Sequence, residues 1–221
     1  MTRNDLSKRK KLGCQRAFIL VLSPFIVLFV AFVTAFLLAR SSYLSWERDF
    51  ESEIDRTNEV IPPQDDKDTL QSIEEKVRQY SLSQEKTDFV IFTPKEFLYM
   101  ISTGIEEALP NGVLLKKSYI ICQEARANVY FKMSFNGIDL PWFGFTIRKD
   151  SIETAEIFIE KAYIGNWDLD AIGLGRFSDE VNDGYRDALI FVNENQITVR
   201  NFQNIEIEKQ AVIFKGELVG K

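Results

Sequence analysis

AFILVLSPFIVLFVAFVTAFLLA, residues 17–39, runs for twenty-three positions without a charge. As a helix rising about 1.5 Å per residue it reaches about 34 Å, enough to cross a hydrocarbon core of about 30 Å. A helix satisfies its backbone groups internally, so lipid accepts it. A buried helix of a soluble domain would show polar positions every three or four residues, whereas here only Ser23 and Thr34 interrupt the run. Pro24 permits a mild kink. The stretch therefore reads as a transmembrane helix, and it divides the chain into a short tail and a large remainder.

The sixteen residues before it carry Arg3, Lys8, Arg9, Lys10, Lys11 and Arg16 against Asp5 alone, a net of +5. Positive flanks stay inside, so the N-terminus is expected in the cytoplasm and the remainder outside the plasma membrane. The apolar run is about twice the length of a secretory h-region. Leu37-Leu38-Ala39 is also a poor small-x-small cleavage site, so an uncleaved signal anchor is expected. Leu12-Gly13-Cys14 lies before the apolar run, where a lipoprotein box would follow it, and no Glu opens the run as a pilin requires. Palmitoylation of Cys14 is a weaker option. Arg40, Tyr43 and Trp46 suit the outer headgroup layer.

Of the chain's 27 basic residues six precede the span. That leaves 21 against 32 acidic residues outside, a net of −11. Such a surface repels nucleic acid, and no nucleic-acid partner is expected. Cys14 and Cys122 lie on opposite sides of the span and cannot pair. The chain carries no Asn-x-Ser/Thr sequon either. Both features favour a bacterial plasma membrane over a eukaryotic secretory route.

Residues 40–87 read as a stalk or linker. Trp46, Phe50 and Ile54 keep helical spacing, so 41–60 can continue the membrane helix until Pro62-Pro63 breaks it. Residues 68–84 form a second amphipathic candidate, with Leu70, Ile73, Val77 and Tyr80 on one side. The compact domain is expected over 88–221. It opens with an apolar strand, Phe89-Val90-Ile91-Phe92. Thr93-Pro94-Lys95-Glu96 then supplies an N-cap, a proline in the first turn and a capping-box acid for a helix that stops at Pro110-Asn111-Gly112. Strands are expected over 113–123, over 127–135 and over 142–148, the second ending in the tight-turn pair Asn136-Gly137. A further strand is expected over 151–163, then a helix over 178–192, and three short strands over 197–202, 204–208 and 211–218. The fold class is α+β: one N-terminal transmembrane helix, then a mainly antiparallel, curved sheet packed with two or more helices.

The chain has no histidine, which removes the commonest general base and metal ligand. It has no Cys-x-x-Cys, no Gly-x-Ser-x-Gly and no phosphate-cradling loop. Gly173 and Gly175 read as a flexible turn. Asp179, Asp183 and Asp187 line one face of the expected helix, with Glu180 beside them. A divalent cation wants such oxygens, but Arg176 and Arg186 lie close enough to make this an ordinary solvated face. Asp168, Asp170, Glu106 and Glu107 read as loop acids, although a glycosidase would need a pair of this kind. No catalytic residue, metal or cofactor is expected. The eighteen Phe and three Trp are more telling. Trp142 and Phe143 fall on opposite faces of one strand. If one sheet face packs on the helices, the other needs a cover: a second layer, the membrane surface, an apolar ligand or a partner.

The run FVIFTPKEFLYMI and the tail ITVRNFQNIEIEKQAVIFKGEL resemble membrane-anchored extracytoplasmic proteins of Gram-positive and related bacteria that are known only as domains of unknown function. The likeness covers residues 88–218 and is one of pattern. Some of that group are similar to tubular lipid-binding folds, in which a long sheet wraps a helix and cradles acyl chains. The Asn usual in their opening helix is Phe97 or Leu98 here. The resemblance implies a non-enzymatic envelope protein that binds a lipid, a glycolipid or an envelope partner at an apolar sheet face near Trp142, Phe143 and Phe145. The first alternative is an accessory subunit assembled with another membrane protein. A carboxylate-dependent cell-wall hydrolase is the distant one.

Overall fold

The structure is a computed structural model. It describes residues 28–54, 66–149, 156–169, 171, 179, 182–183, 186–187 and 200–218. Outside them lie the basic tail with Cys14, the expected span up to residue 27 with Pro24, the break expected at 62–63, Asp170, Gly173, Gly175 and most of the helix expected over 178–192. The chain falls into two compact units, Met1–Arg48 and Asp49–Lys221.

Helix α1, Leu28–Ile54, has a mean hydropathy of 1.6 and is the one helix among the described residues long and apolar enough to cross a membrane. In the first unit its Leu28, Phe29, Phe32 and Phe36 all stand exposed. Thr34 satisfies its hydroxyl by donating to the Val30 carbonyl one turn back (2.8 Å). Tyr43 donates to Glu47 (2.8 Å), and its ring stands 6.0 Å from that of Trp46.

In the second unit α2 is Lys67–Leu82, β1 Thr87–Phe92 and α3 Pro94–Ala108. The strands β2 Val113–Gln123, β3 Arg126–Phe135, β4 Ile138–Asp139, β5 Phe143–Lys149, β6 Ile157–Ile164 and β7 Trp167–Asp168 follow. The last strands are β8 Arg200–Ile207 and β9 Val212–Leu218. All pairing is antiparallel. A large sheet has the order β2-β3-β5-β6-β7, with β4 on β3, and a small sheet has the order β1-β9-β8. The class is α+β, as the pattern of elements implied. Asn136 and Gly137 close the β3–β4 hairpin with φ of +49° and +82°, the paired left-handed geometry that an Asn-Gly turn supplies at least cost.

Helix α3 begins where the capping motif places it. The Thr93 hydroxyl accepts from the Glu96 N–H, and Glu96 accepts in return from the Thr93 N–H (2.7 Å). Glu96 is buried and also takes hydrogen bonds from Ser72 (2.7 Å) and Lys76 (2.6 Å) of α2. The stretch read as spacer is thus a packed element, tied to α3 by a capping carboxylate. On α2 only part of the apolar side is covered: Ile73 and Tyr80 are buried, while Leu70 and Val77 stay exposed.

The main core lies between α3 and the two sheets. Phe97 and Leu98 pack on Ile120, Ala127, Val129 and Phe131 of the large sheet and on Ile205, Ile207 and Val212 of the small one. The sheets are stitched at one corner. Ala125 donates its N–H to the Ile207 carbonyl (2.9 Å), and buried Lys149 donates to the Asn204 side chain and the Ile205 carbonyl. Burial pushes the Lys149 ammonium below its usual pKa.

The most buried cation is Arg200, at the start of β8, which is 1% exposed. It donates to the carbonyls of Tyr80, Ser83, Glu85, Lys86 and Gly216 at 2.9–3.5 Å. Its guanidinium also lies 5.1 Å from the centre of the Tyr80 ring. These contacts hold the end of α2 and the α2–β1 connection against the small sheet.

Two outcomes follow. Arg200→Ala leaves buried carbonyls without donors and lowers the unfolding free energy of the 49–221 unit by about 3 kcal/mol or more in urea titrations. Arg200→Lys recovers only a part, because one ammonium cannot reach all five carbonyls.

The second concerns acid. Lys95 and Thr69 hold the Asp66 carboxyl down to about 2. Burial alone would raise Glu96, but the hydrogen bonds from Lys76, Ser72 and the Thr93 N–H outweigh it and hold it below its usual value. Carboxyls held low in the folded state stabilise it above their unfolded pKa, and that stabilisation is lost as pH falls through the folded values. Melting temperature is therefore flat above about pH 5 and falls from there towards pH 2. Glu96→Gln lowers the neutral-pH melting temperature and flattens the acid slope.

Candidate functional site

The face of the large sheet turned away from α3 is aromatic. Tyr119 and Tyr130 face each other across β2 and β3 with rings 6.4 Å apart. Trp142, just before β5, is fully buried. The cover is the chain's own helix: Phe50 and Ile54, in the last turns of α1, are buried here. The Phe50 ring lies 4.7 Å from Tyr130, 5.9 Å from Tyr119 and 5.2 Å from Trp142, edge-on to the last at 85°. The indole N–H donates to Glu51 (3.2 Å), and Lys132 stands 5.7 Å from the centre of the Trp142 ring. Gly144 sits opposite Tyr130. A Cβ there would come within 2.8 Å of the tyrosine ring, so glycine is what allows the aromatic layer to close.

Phe143 and Phe145 point the other way. They pair with Phe131 and Val129 on the core side, and Phe145 packs against the main cluster. The apolar surface expected near Trp142, Phe143 and Phe145 is therefore divided between the two faces. Trp142 is sealed under Phe50, and the two phenylalanines stand half-buried on the core side.

Open apolar space lies elsewhere, on both flanks of α3. One cavity of about 190 Å³ sits between α2, α3 and the small sheet, lined by Val77, Tyr80, Val90, Phe92, Met100 and Phe202. A second, of about 270 Å³, is bounded by Phe97 and Ile101 of α3, by Ile147, Ile157 and Ile159 of the large sheet, and by Ile205. Phe214 lines both. It is the hub of a ring cluster, 5.6 Å from Phe92, 6.2 Å from Phe97 and 6.0 Å from Phe202. Asn182 borders the second cavity and stands in for a neighbouring strand: it accepts from the Ile159 N–H (2.6 Å) and donates to the Ile159 carbonyl (3.0 Å).

The polar groups at the first cavity are few. Arg200 lines it with its N–H groups already turned to backbone carbonyls. The Tyr80 hydroxyl is buried without a hydrogen-bond partner, above Gly216, where any Cβ would collide with it. Burial raises the pKa of that phenol. The linings offer shape and apolar surface, with no charged group to recognise an ionic headgroup inside.

The acidic candidates do not converge. Asp179, Asp183 and Asp187 are exposed, and Asp183 pairs with Arg186 (3.4 Å). Asp168 pairs with Lys161 (3.4 Å). Among the described residues no group of three or more His, Cys, Asp or Glu side chains is placed to hold a metal ion.

No family model, curated protein or solved structure matches the chain.

The sequence pointed to aromatic residues in one strand. The cavities instead join Val77, Met100, Phe202 and Phe214, far apart in sequence, and no spacing rule links them. The one readable hint was Phe50 at helical spacing from Trp46, which gives α1 an apolar side beyond the expected span. Phe50→Ala is expected to cost the 49–221 unit about 3 kcal/mol and to open Trp142 to acrylamide quenching. Exposed Phe89→Ala in β1 changes neither measurement appreciably.

Proposed function

We propose that the protein is a single-pass envelope protein, anchored by its N-terminal apolar helix with the N-terminus inside. On this reading its outer unit is non-enzymatic and takes up an apolar chain, of the kind carried by a lipid or glycolipid. One observation carries this: two cavities with apolar walls flank α3 and share Phe214. Each is smaller than a typical ligand site of about 300–1,000 Å³, and a rotation of the Phe214 ring would join them into one that is not. The anchor rests on the apolar run and on the +5 tail before it. The resemblance to extracytoplasmic proteins of Gram-positive and related bacteria points the same way.

An accessory subunit is the second reading. It is favoured by β1, an edge strand of the small sheet whose Phe89 and Ile91 are exposed. Edge strands with apolar faces invite a partner strand.

Native mass spectrometry of the 49–221 unit separates the two. Uptake of an apolar chain predicts a bound acyl species that disappears in Met100→Trp, which fills the first cavity, or in Phe202→Trp. Repeated preparations free of lipid, with no fatty acid retained on addition, would sink the proposal and leave the partner reading ahead.

A further inference from the structure

The end of the large sheet built by the start of β2, the end of β3 and β4 carries apolar side chains in the open. Leu114 is 60% exposed, Phe135 46% and Ile138 70%. Phe135 and Ile138 are direct partners across the Asn136-Gly137 turn. Leu114 pairs with Ser134 one position along, so its side chain belongs to the opposite face of the hairpin. A tip that is apolar on both faces is poorly matched to a flat protein partner, which would bury one of them. A medium that surrounds the tip buries both.

The charges beside it are unevenly placed. Lys117 and Lys132 are cross-strand partners. They lie on the face that receives Phe50 and Trp142, and Lys116 stands exposed at the adjoining bulge. Like charges opposite one another repel, and an anion between them removes that cost. The nearby acids lie elsewhere: Glu106 and Glu107 are in α3, which packs on the other face, and Asp139 is in β4. In a remainder of net −11 this basic flank is local. The chain also enters the unit next to it. Four residues separate Trp46, read as lying in the headgroup layer, from Phe50, and even fully extended they span only about 14 Å.

We propose that the β3–β4 tip, with Leu114, Phe135 and Ile138 under a collar of Lys116, Lys117 and Lys132, inserts into the outer interface of an anionic bilayer. Apolar side chains enter the headgroup boundary while the lysines meet lipid phosphates. The inference rests on the anchored reading for its short tether, and on none of the cavity observations.

The test uses the full chain with Cys14→Ser and Ile138→Cys, labelled at residue 138 with an environment-sensitive fluorophore and reconstituted into phosphatidylglycerol-containing vesicles. Lys209→Cys, in the β8–β9 turn, serves as the control site. The emission at 138 shifts to the blue while that at 209 stays water-like. The shift is lost in pure phosphatidylcholine vesicles, in Lys116→Glu/Lys117→Glu, and in 1 M salt, where the screening length falls to about 3 Å. Water-like emission at 138 in anionic vesicles overturns the proposal. So does a shift that persists in lipid-free detergent and grows with protein concentration, which would assign the tip to a second copy. Alkaline carbonate extraction of the same vesicles reads the anchor separately. If the chain is extracted, the anchored reading fails, and the tip is judged by the same probe with vesicles added from outside. Because Leu114 and Ile138 are exposed, Leu114→Ser/Ile138→Ser retains the fold and still abolishes the shift in a probe placed at Asn136→Cys.

Discussion

A guanidinium surrounded by backbone carbonyls is the constraint on which the outer unit depends. Arg200 has five N–H donors, and five carbonyls from Tyr80 to Gly216 receive them. Without it the last turn of α2 and the connection to β1 would present acceptors to an apolar interior. With it, α2 closes over the small sheet and the first cavity acquires a wall. Asp88 lies near enough for its carboxyl to be lowered, chiefly by Ser83 and the Phe89 N–H and further by Arg200 itself. The cation is thus solvated by peptide dipoles with a carboxylate at the margin, an arrangement that orients the chain more than it stabilises it.

The large sheet follows a second logic. Both of its faces are covered, one by α3 and the small sheet, the other by the end of α1. That explains why β3, whose alternating pattern reads as half-buried, carries the half-buried Tyr130 and the buried Ser134 on its supposedly solvated face. The aromatic residues there serve to seat Phe50. The space left for a ligand lies where helix meets sheet, because α3 is a cylinder laid across two surfaces that diverge from the corner stitched by Lys149. Phe214 occupies the narrowest part and keeps the two spaces apart.

Much of this was legible in local chemistry. The capping motif at Thr93–Glu96 fixed the start of α3, and Asn136-Gly137 fixed the hairpin. Strand β2 spans the residues expected of it, since its ends are set by Gly112 and by the turn at Glu124–Ala125. Helix α2 was legible as a helix but not as a packed one, because Glu96, the residue that fastens it, already had a complete role as a capping acid. The site was the least legible part. Trp142 stood out as an aromatic in a strand, yet its burial depends on Phe50, 92 positions earlier. The cavity walls depend on which side of Phe214 the helices settle.

The sequence by itself determined the apolar segment near the N-terminus, the division of charge around it, the class of fold and the ends of most elements. These follow from hydropathy, periodicity and turn stereochemistry, all of which act over a few neighbouring residues. Only the tertiary structure decided that the end of α1 seals the outer face of the sheet, that Arg200 clasps the α2–β1 connection, and that apolar space remains beside α3. Those outcomes come from side chains that meet across 90 to 120 positions, where burial and hydrogen-bond satisfaction are settled by the whole packing arrangement and leave no periodic trace in the chain.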